Sequence, residues 1–147
     1  MTDLCFVDSN VLVYSRDATE REKQPQAQAW REALWKTRAG CLSAQVLHEF
    51  YQVVTRKLSP GMPREQARLE IRDLLRWQVV PWAPALLDET WHLEERFGLA
   101  FWDALIVAAA RIADCRYLLS EDLTHGADFD GVQVISPFRV APAEVFG

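Results

Sequence analysis

No part of the chain is apolar enough over enough length to span a bilayer as a helix. The longest uninterrupted apolar run is Ala104 to Ala110, far short of the roughly 20 residues a span needs. The start shows no basic segment leading into an apolar one, because Asp3 and Asp8 interrupt it. The expectation is a cytoplasmic protein with no membrane partner. Cysteine is scarce. Cys5, Cys41 and Cys115 form no CxxC pair, which argues against a zinc cluster or a disulfide framework and for buried, reduced thiols. Six Gly and seven Pro are scattered, so no linker, repeat or low-complexity tract divides the chain.

Several catalytic signatures are also missing. There is no GxSxG elbow, no phosphate-binding glycine loop and no GxGxxG. His48-Glu49 begins like a zinc-protease helix, but Gln52 stands where the second histidine belongs. His48, His92 and His125 show no ligand spacing and read as surface or loop residues. Positive charge is not in excess: 16 Lys plus Arg face 21 Asp plus Glu, a net charge of −5. Alone, that balance speaks against a nucleic-acid partner. If four acids gather in one metal site, however, 21 − 4 leaves 17 acids against 16 cations, and the remaining surface is nearly neutral.

What is present suits one soluble domain over residues 1–147, half hydrophobic and a quarter charged. Residues 4–8 read as a buried strand, with aromatic Phe6 and β-branched Val7 before Asp8. Residues 24–38 form a helix with Ala27, Trp30, Leu34 and Trp35 at helical spacing. Gly40 to Ser43 is a short strand, and Ser43 caps a helix over 44–57. Residues 64–77 form a helix with Ala67, Ile71, Leu74 and Leu75 inward. A strand over 79–82 precedes a helix over 85–97, which Gly98 ends. Residues 104–113 are apolar nearly all round and predict a central, buried helix. Strands follow at 116–120 and 133–136. This alternation predicts an α/β fold, a central parallel β-sheet flanked by helices on both faces. Most of the six tryptophans are expected in the core.

Four carboxylates fall at equivalent places in this pattern. Asp8 ends the first strand, Glu49 lies a turn and a half into the helix after the second, Asp103 opens the buried helix, and Asp122 follows a later strand. Each has an ordinary explanation. Asp8 can cap a short helix, Glu49 can be solvated, Asp103 can favour a helix amino terminus, and Asp122 can sit in a turn. A parallel sheet nevertheless brings all four to one edge. Carboxylates buried side by side are costly without a cation, and hard divalent ions take oxygen ligands.

Four segments carry a resemblance: Val7-Asp8-Ser9-Asn10-Val11-Leu12, Leu42 to Phe50, Phe101 to Ala110 and Leu118 to Leu123. In this order they resemble the PIN-domain ribonucleases, and among them the VapC toxins of bacterial toxin–antitoxin pairs. The resemblance implies a PIN-like fold and an Mg2+- or Mn2+-dependent endoribonuclease leaving a 5′-phosphate. It places catalytic, metal-binding acids at Asp8, Glu49, Asp103 and Asp122, with Asn10 and Ser120 orienting them from outside. Glu121 competes with Asp122 for the last position, and alignment favours Asp122. Asp128 and Asp130 are candidates for a second, weaker site. An RNA substrate, a cognate antitoxin and a homodimer are the implied partners. Two other readings stay open: a structure-specific DNA nuclease, and a non-catalytic binding module on the same fold.

Overall fold

A computed structural model describes residues 3–146. Strand β1 (Cys5–Val7) is buried throughout and leads at once into the short helix α1 (Ser9–Tyr14). Helix α2 (Lys23–Thr37), strand β2 (Gly40–Ser43) and helices α3 (Ala44–Arg56) and α4 (Arg64–Leu74) follow. Strand β3 (Gln78–Val80) precedes the helices α5 (Pro84–Phe97) and α6 (Phe101–Ile112). Strands β4 (Tyr117–Leu119), β5 (Asp128–Phe129) and β6 (Val132–Ile135) and helix α7 (Pro142–Phe146) complete the order.

The strands form one sheet in the order β3-β2-β1-β4-β6-β5. All neighbours are parallel except β5, which pairs antiparallel with β6. The sheet is therefore mixed at one edge, where the sequence predicts only parallel strands. The cause is local: Asp130 and Gly131 both take positive φ, 53° and 106°, the backbone of a tight two-residue hairpin turn. Helices α5 and α6 pack together, and α6 lies on β2, β4 and β6. Helix α1 packs on α2 and α3, α3 on α4, and α7 on α2, so the central sheet is flanked by helices as predicted.

Strand order fixes where chemistry can gather. From β1 the chain moves to β2 and β3 on one side, while β4 and β6 lie on the other. The reversal between β1 and β4 opens a crevice beyond their carboxyl ends, the usual ligand position in open α/β sheets. The core beneath it is apolar and tight. Phe6, Val7, Leu12, Leu42, Phe50, Leu118 and Leu119 are all fully buried, each stabilising the fold by about 1.5–3 kcal/mol of apolar burial. The three cysteines are free and buried. Among the described residues no helix is long and apolar enough to cross a membrane.

Three expectations fail on packing. Of the six tryptophans only Trp30 is fully buried, its indole N–H donating to the carbonyls of Pro137 and Val140. Trp35, Trp82, Trp91 and Trp102 are 45%, 66%, 51% and 66% exposed. Leu75, expected inward, is exposed, because α4 ends at Leu74 rather than at residue 77 and leaves Leu75 as its C-cap, while Glu70 takes an interior place between Arg16 and Arg31. Helix α6 begins at Phe101 rather than at residue 104, which draws Asp103 into its first turn.

Candidate active site

The register Val7↔Leu119 sets the ends of β1 and β4 side by side. The next residues, Asp8 and Ser120, therefore face each other, and the Ser120 hydroxyl donates to Asp8 Oδ2 at 2.8 Å. Both are buried. Asp8 also caps α1, its Oδ1 accepting from Ser9 N–H at 2.7 Å. The cap and the site residue are thus one side chain: one carboxylate oxygen starts the helix, and the other faces the crevice.

Helix α1 immediately carries Asn10 back over the same point. Its Nδ2 donates to Asp8 Oδ2 at 3.3 Å, to Ser120 Oγ at 3.4 Å and to Asp122 Oδ2 at 3.1 Å. Its Oδ1 accepts from Glu121 N–H at 3.3 Å. Ser120 Oγ in turn accepts from Asp122 N–H at 3.2 Å. Asp8, Asn10, Ser120 and Asp122 form a single hydrogen-bonded group across the β1/β4 crevice.

Burial pushes the Asp8 carboxyl up to about 6, and the charges of Asp122 and Glu49 add to the rise. The hydrogen bonds from Ser120 and Ser9 oppose it. Glu49, exposed on α3, is raised by desolvation and by the charge of Asp122, while Gln45 one turn earlier pulls it down. The charge of Asp122 thus acts on both Asp8 and Glu49. No Lys, Arg or His among the described residues forms an ion pair with any of them, nor with Asp103.

Asp103 comes from α6, which packs on β2, β4 and β6. Leu105, two residues on, shares a small cleft with Ser43, Gln45 and Val80, which lie at the carboxyl ends of β2 and β3. The opposite end of α6 leads to Cys115 and to Arg116, whose N–H bonds Leu4 before β1. The amino end of α6 is therefore at the same edge as Asp8. Asp103 makes no hydrogen bond to the Asp8 group, and among the described residues no three acidic, imidazole or thiol side chains stand at metal-ligand geometry.

The residues nonetheless suit a hard divalent cation. All the donors are oxygens, one carboxylate is buried without a countercharge, and its neighbours are acids. Glu121 faces elsewhere, its Oε1 accepting from Lys23 Nζ at 2.6 Å. Lys23 and Tyr14 at this rim are the residues that the sequence reading missed. Tyr14 had a signal, lying at the end of the helix that Asp8 caps; Lys23 had none. Asp128 and Asp130 do not join the site. Arg96 holds Asp130 through two hydrogen bonds of 2.7 and 2.9 Å, and Asp128 caps the hairpin turn through Gly131 N–H. The pairings Asp128↔Gln133 and Gln133↔Tyr117 put them at the amino edge of the sheet, opposite Asp8.

Comparison with known proteins places this geometry. The sequence profile of the PIN domain matches residues 5–127. No curated protein matches the chain. Among solved structures, FitAB bound to an IR36 DNA fragment aligns with a TM-score of 0.70 at 20% identity, covering 93% of this chain and 97% of that one. A toxin–antitoxin complex from Klebsiella pneumoniae aligns at 0.64 and 17%, covering 90% and 97%. VapC20 from Mycobacterium tuberculosis, a sarcin-ricin loop cleaving toxin, aligns at 0.59 and 21%, covering 78% and 86%. The profile match runs from β1 past the loop that carries Asp122 and so takes in all four acids: the chain belongs to the PIN domain family.

Proposed function

We propose that this chain is a metal-dependent endoribonuclease, the VapC-like toxin of a toxin–antitoxin pair, acting through Asp8, Glu49, Asp103 and Asp122. The observation that carries the reading is Asp8, a buried carboxylate with no cationic partner among the described residues, which accepts hydrogen bonds from Ser120 and Asn10 at the β1/β4 crevice, where Asn10 also bonds Asp122. Family membership and the structural likeness to VapC20, a sarcin-ricin loop cleaving toxin, support the activity and the substrate class.

Asp8, Asp103 and Asp122 would hold Mg2+ or Mn2+, and Glu49 would position the ion or a water. Such an ion, when bound, polarises the scissile phosphate and acidifies a water. Ser120 keeps Asp8 turned into the crevice, and Asn10 spaces Asp8 from Asp122, so the ligands are set before the substrate arrives. Water would add to the phosphorus as its bond to the 3′-oxygen breaks, leaving a 3′-hydroxyl on one fragment and a 5′-phosphate on the other. A cognate antitoxin, a homodimer and a single domain in the cytoplasm complete the reading. The exposed Trp82, Trp91 and Trp102 offer apolar surface for such protein partners.

The test is a digest of total RNA with Mg2+, with and without EDTA, followed by end mapping. Cleavage with Mg2+ only, leaving 5′-phosphates and absent in Asp8→Asn, is the expected result. Cleavage of DNA alone would move the assignment to a DNA nuclease. The absence of both cleavage and metal binding at millimolar Mn2+ would leave a binding module.

A further inference from the structure

Glu121 is the acid next to the site that the proposed chemistry does not use, and its surroundings give it a role. Its carboxylate accepts from Lys23 Nζ at 2.6 Å. Among the described residues this is the only ion pair that reaches the segment 120–122. The same ammonium lies 4.9 Å from the Tyr14 ring centroid and 5.4 Å from that of Phe138. Those two rings meet edge to face at 5.3 Å. The pKa of the Tyr14 phenol is raised, chiefly by the neighbouring Glu121 carboxylate. Glu121 is tied to the site through its backbone, where its N–H donates to Asn10 Oδ1. The cage and the acidic group therefore share a wall.

The placement of Lys23 is not what helix stability asks for. It stands at the first position of α2, where the helix dipole disfavours a cation. An untethered lysine at the rim of an acidic crevice would also be drawn among the carboxylates and compete with a divalent ion. Glu121 and the two rings prevent this by fixing the ammonium outside. Its side chain remains 34% exposed, and a lysine has three N–H donors, so donors remain for a second acceptor.

We propose that Lys23 binds a backbone phosphate flanking the scissile one, and that Glu121 is the positioning residue that keeps it out of the metal-binding crevice. This rests on the ribonuclease reading and adds a named contact to the RNA strand.

The probe is a short fluorescein-labelled single-stranded oligoribonucleotide. Its binding is measured at several salt concentrations with Ca2+ and its cleavage with Mg2+. Lys23→Gln should raise KM and Kd roughly three- to fivefold. It should flatten the log-affinity against log-salt slope by about 0.7, one phosphate contact's share on a single strand, and leave kcat unchanged. Lys23→Arg should restore most of the loss. Glu121→Gln should weaken Mn2+ binding, because the freed ammonium enters the crevice, and the double variant with Lys23→Gln should recover it. Mn2+ binding that stays weak in the double variant would make Glu121 a direct ligand and overturn its positioning role. An unchanged salt slope and KM in Lys23→Gln, with only the melting temperature lowered, would make the pair a structural brace and overturn the proposal. Wild-type protein that neither binds nor cuts the oligonucleotide would instead defeat the ribonuclease reading itself.

Discussion

Asn10 Nδ2 donates to Asp122 Oδ2 at 3.1 Å, joining residues 112 positions apart. The same nitrogen reaches Asp8 Oδ2 at 3.3 Å, so one neutral amide separates two carboxylates. Without it the two acids would either repel or drift. Asn10→Ala should therefore reduce cleavage by roughly 10- to 100-fold, the usual cost of losing a residue that orients metal ligands. Stability should fall by only about 1 kcal/mol, since the site is open to water on the Asp122 side. Mn2+ titration calorimetry beside a urea melt separates the two effects.

Ser120 gives a sharper version of the same test, because it is fully buried. Its hydroxyl donates to Asp8 and accepts from Asp122 N–H and Asn10. Ser120→Ala removes the main hydrogen bond holding the Asp8 pKa down, so that pKa should rise above about 6. The rising limb of the pH–rate profile should then move to higher pH, and Ser120→Thr, which keeps the hydroxyl, should move it less.

Asp8 also makes the metal-free protein sensitive to pH in a definite direction. Its carboxyl titrates near 6 in the fold against an ordinary 3.8, so the native state holds the proton more tightly than the unfolded chain. That contribution to stability is fully present below about pH 4 and is lost as pH climbs through 6, to a total of about 3 kcal/mol. Asp8→Asn should abolish cleavage, yet raise the melting temperature of EDTA-treated protein at pH 7.5. Saturating Mn2+ should stabilise the wild type and leave the variant nearly unmoved.

Much of this was legible in the sequence, for reasons that can be named. Cys5 to Val7 and Leu118 to Leu119 are apolar runs too short for helices and too apolar for a solvated strand, so a parallel sheet followed, and with it the edge where Asp8 and Asp122 lie. The hairpin at Asp130-Gly131 was written in two residues, but its strand β5 is only two residues long, too short for any periodicity. The tryptophans misled because apolar character alone does not say which side of a helix faces the sheet: Trp30 and Trp35 share α2, yet one is buried and the other exposed. The place of Lys23 could not be read at all. Its partner is 98 positions away, and only the return of β4 beside β1 brings them together.

The interior carboxylate on α4 ties three helices together. Arg16 Nε donates to both Glu70 oxygens at 2.7 and 2.9 Å, and Arg31 bonds Glu70 and Ser15 Oγ. Glu70 therefore joins α4 to the end of α1 and to α2. Glu70→Gln removes the carboxylate that both guanidinium groups bond and leaves Arg31, buried enough that desolvation lowers its pKa, with only the weaker influence of the Asp73 charge. Stability should fall by about 2–4 kcal/mol in urea denaturation, at the low end of a broken buried pair because Arg16 is partly exposed.

Asp103 decides how far the acidic crevice extends. It lies in the first turn of α6, where a negative charge favours the helix dipole whether or not an ion is present. Asp103→Asn should accordingly lower the stability of the metal-free protein by no more than about 1 kcal/mol. A ligand role adds a second, separable consequence: Mn2+ affinity should fall by at least roughly tenfold, as loss of even an outlying ligand partner does, and cleavage should fall with it at subsaturating metal. Asp122→Asn should behave alike, and the two substitutions together should not be additive if both oxygens bind one ion. If Asp103→Asn binds Mn2+ as the wild type does while losing the small helix contribution, Asp103 is a dipole charge only, and the ion is held by the β1/β4 side of the crevice alone.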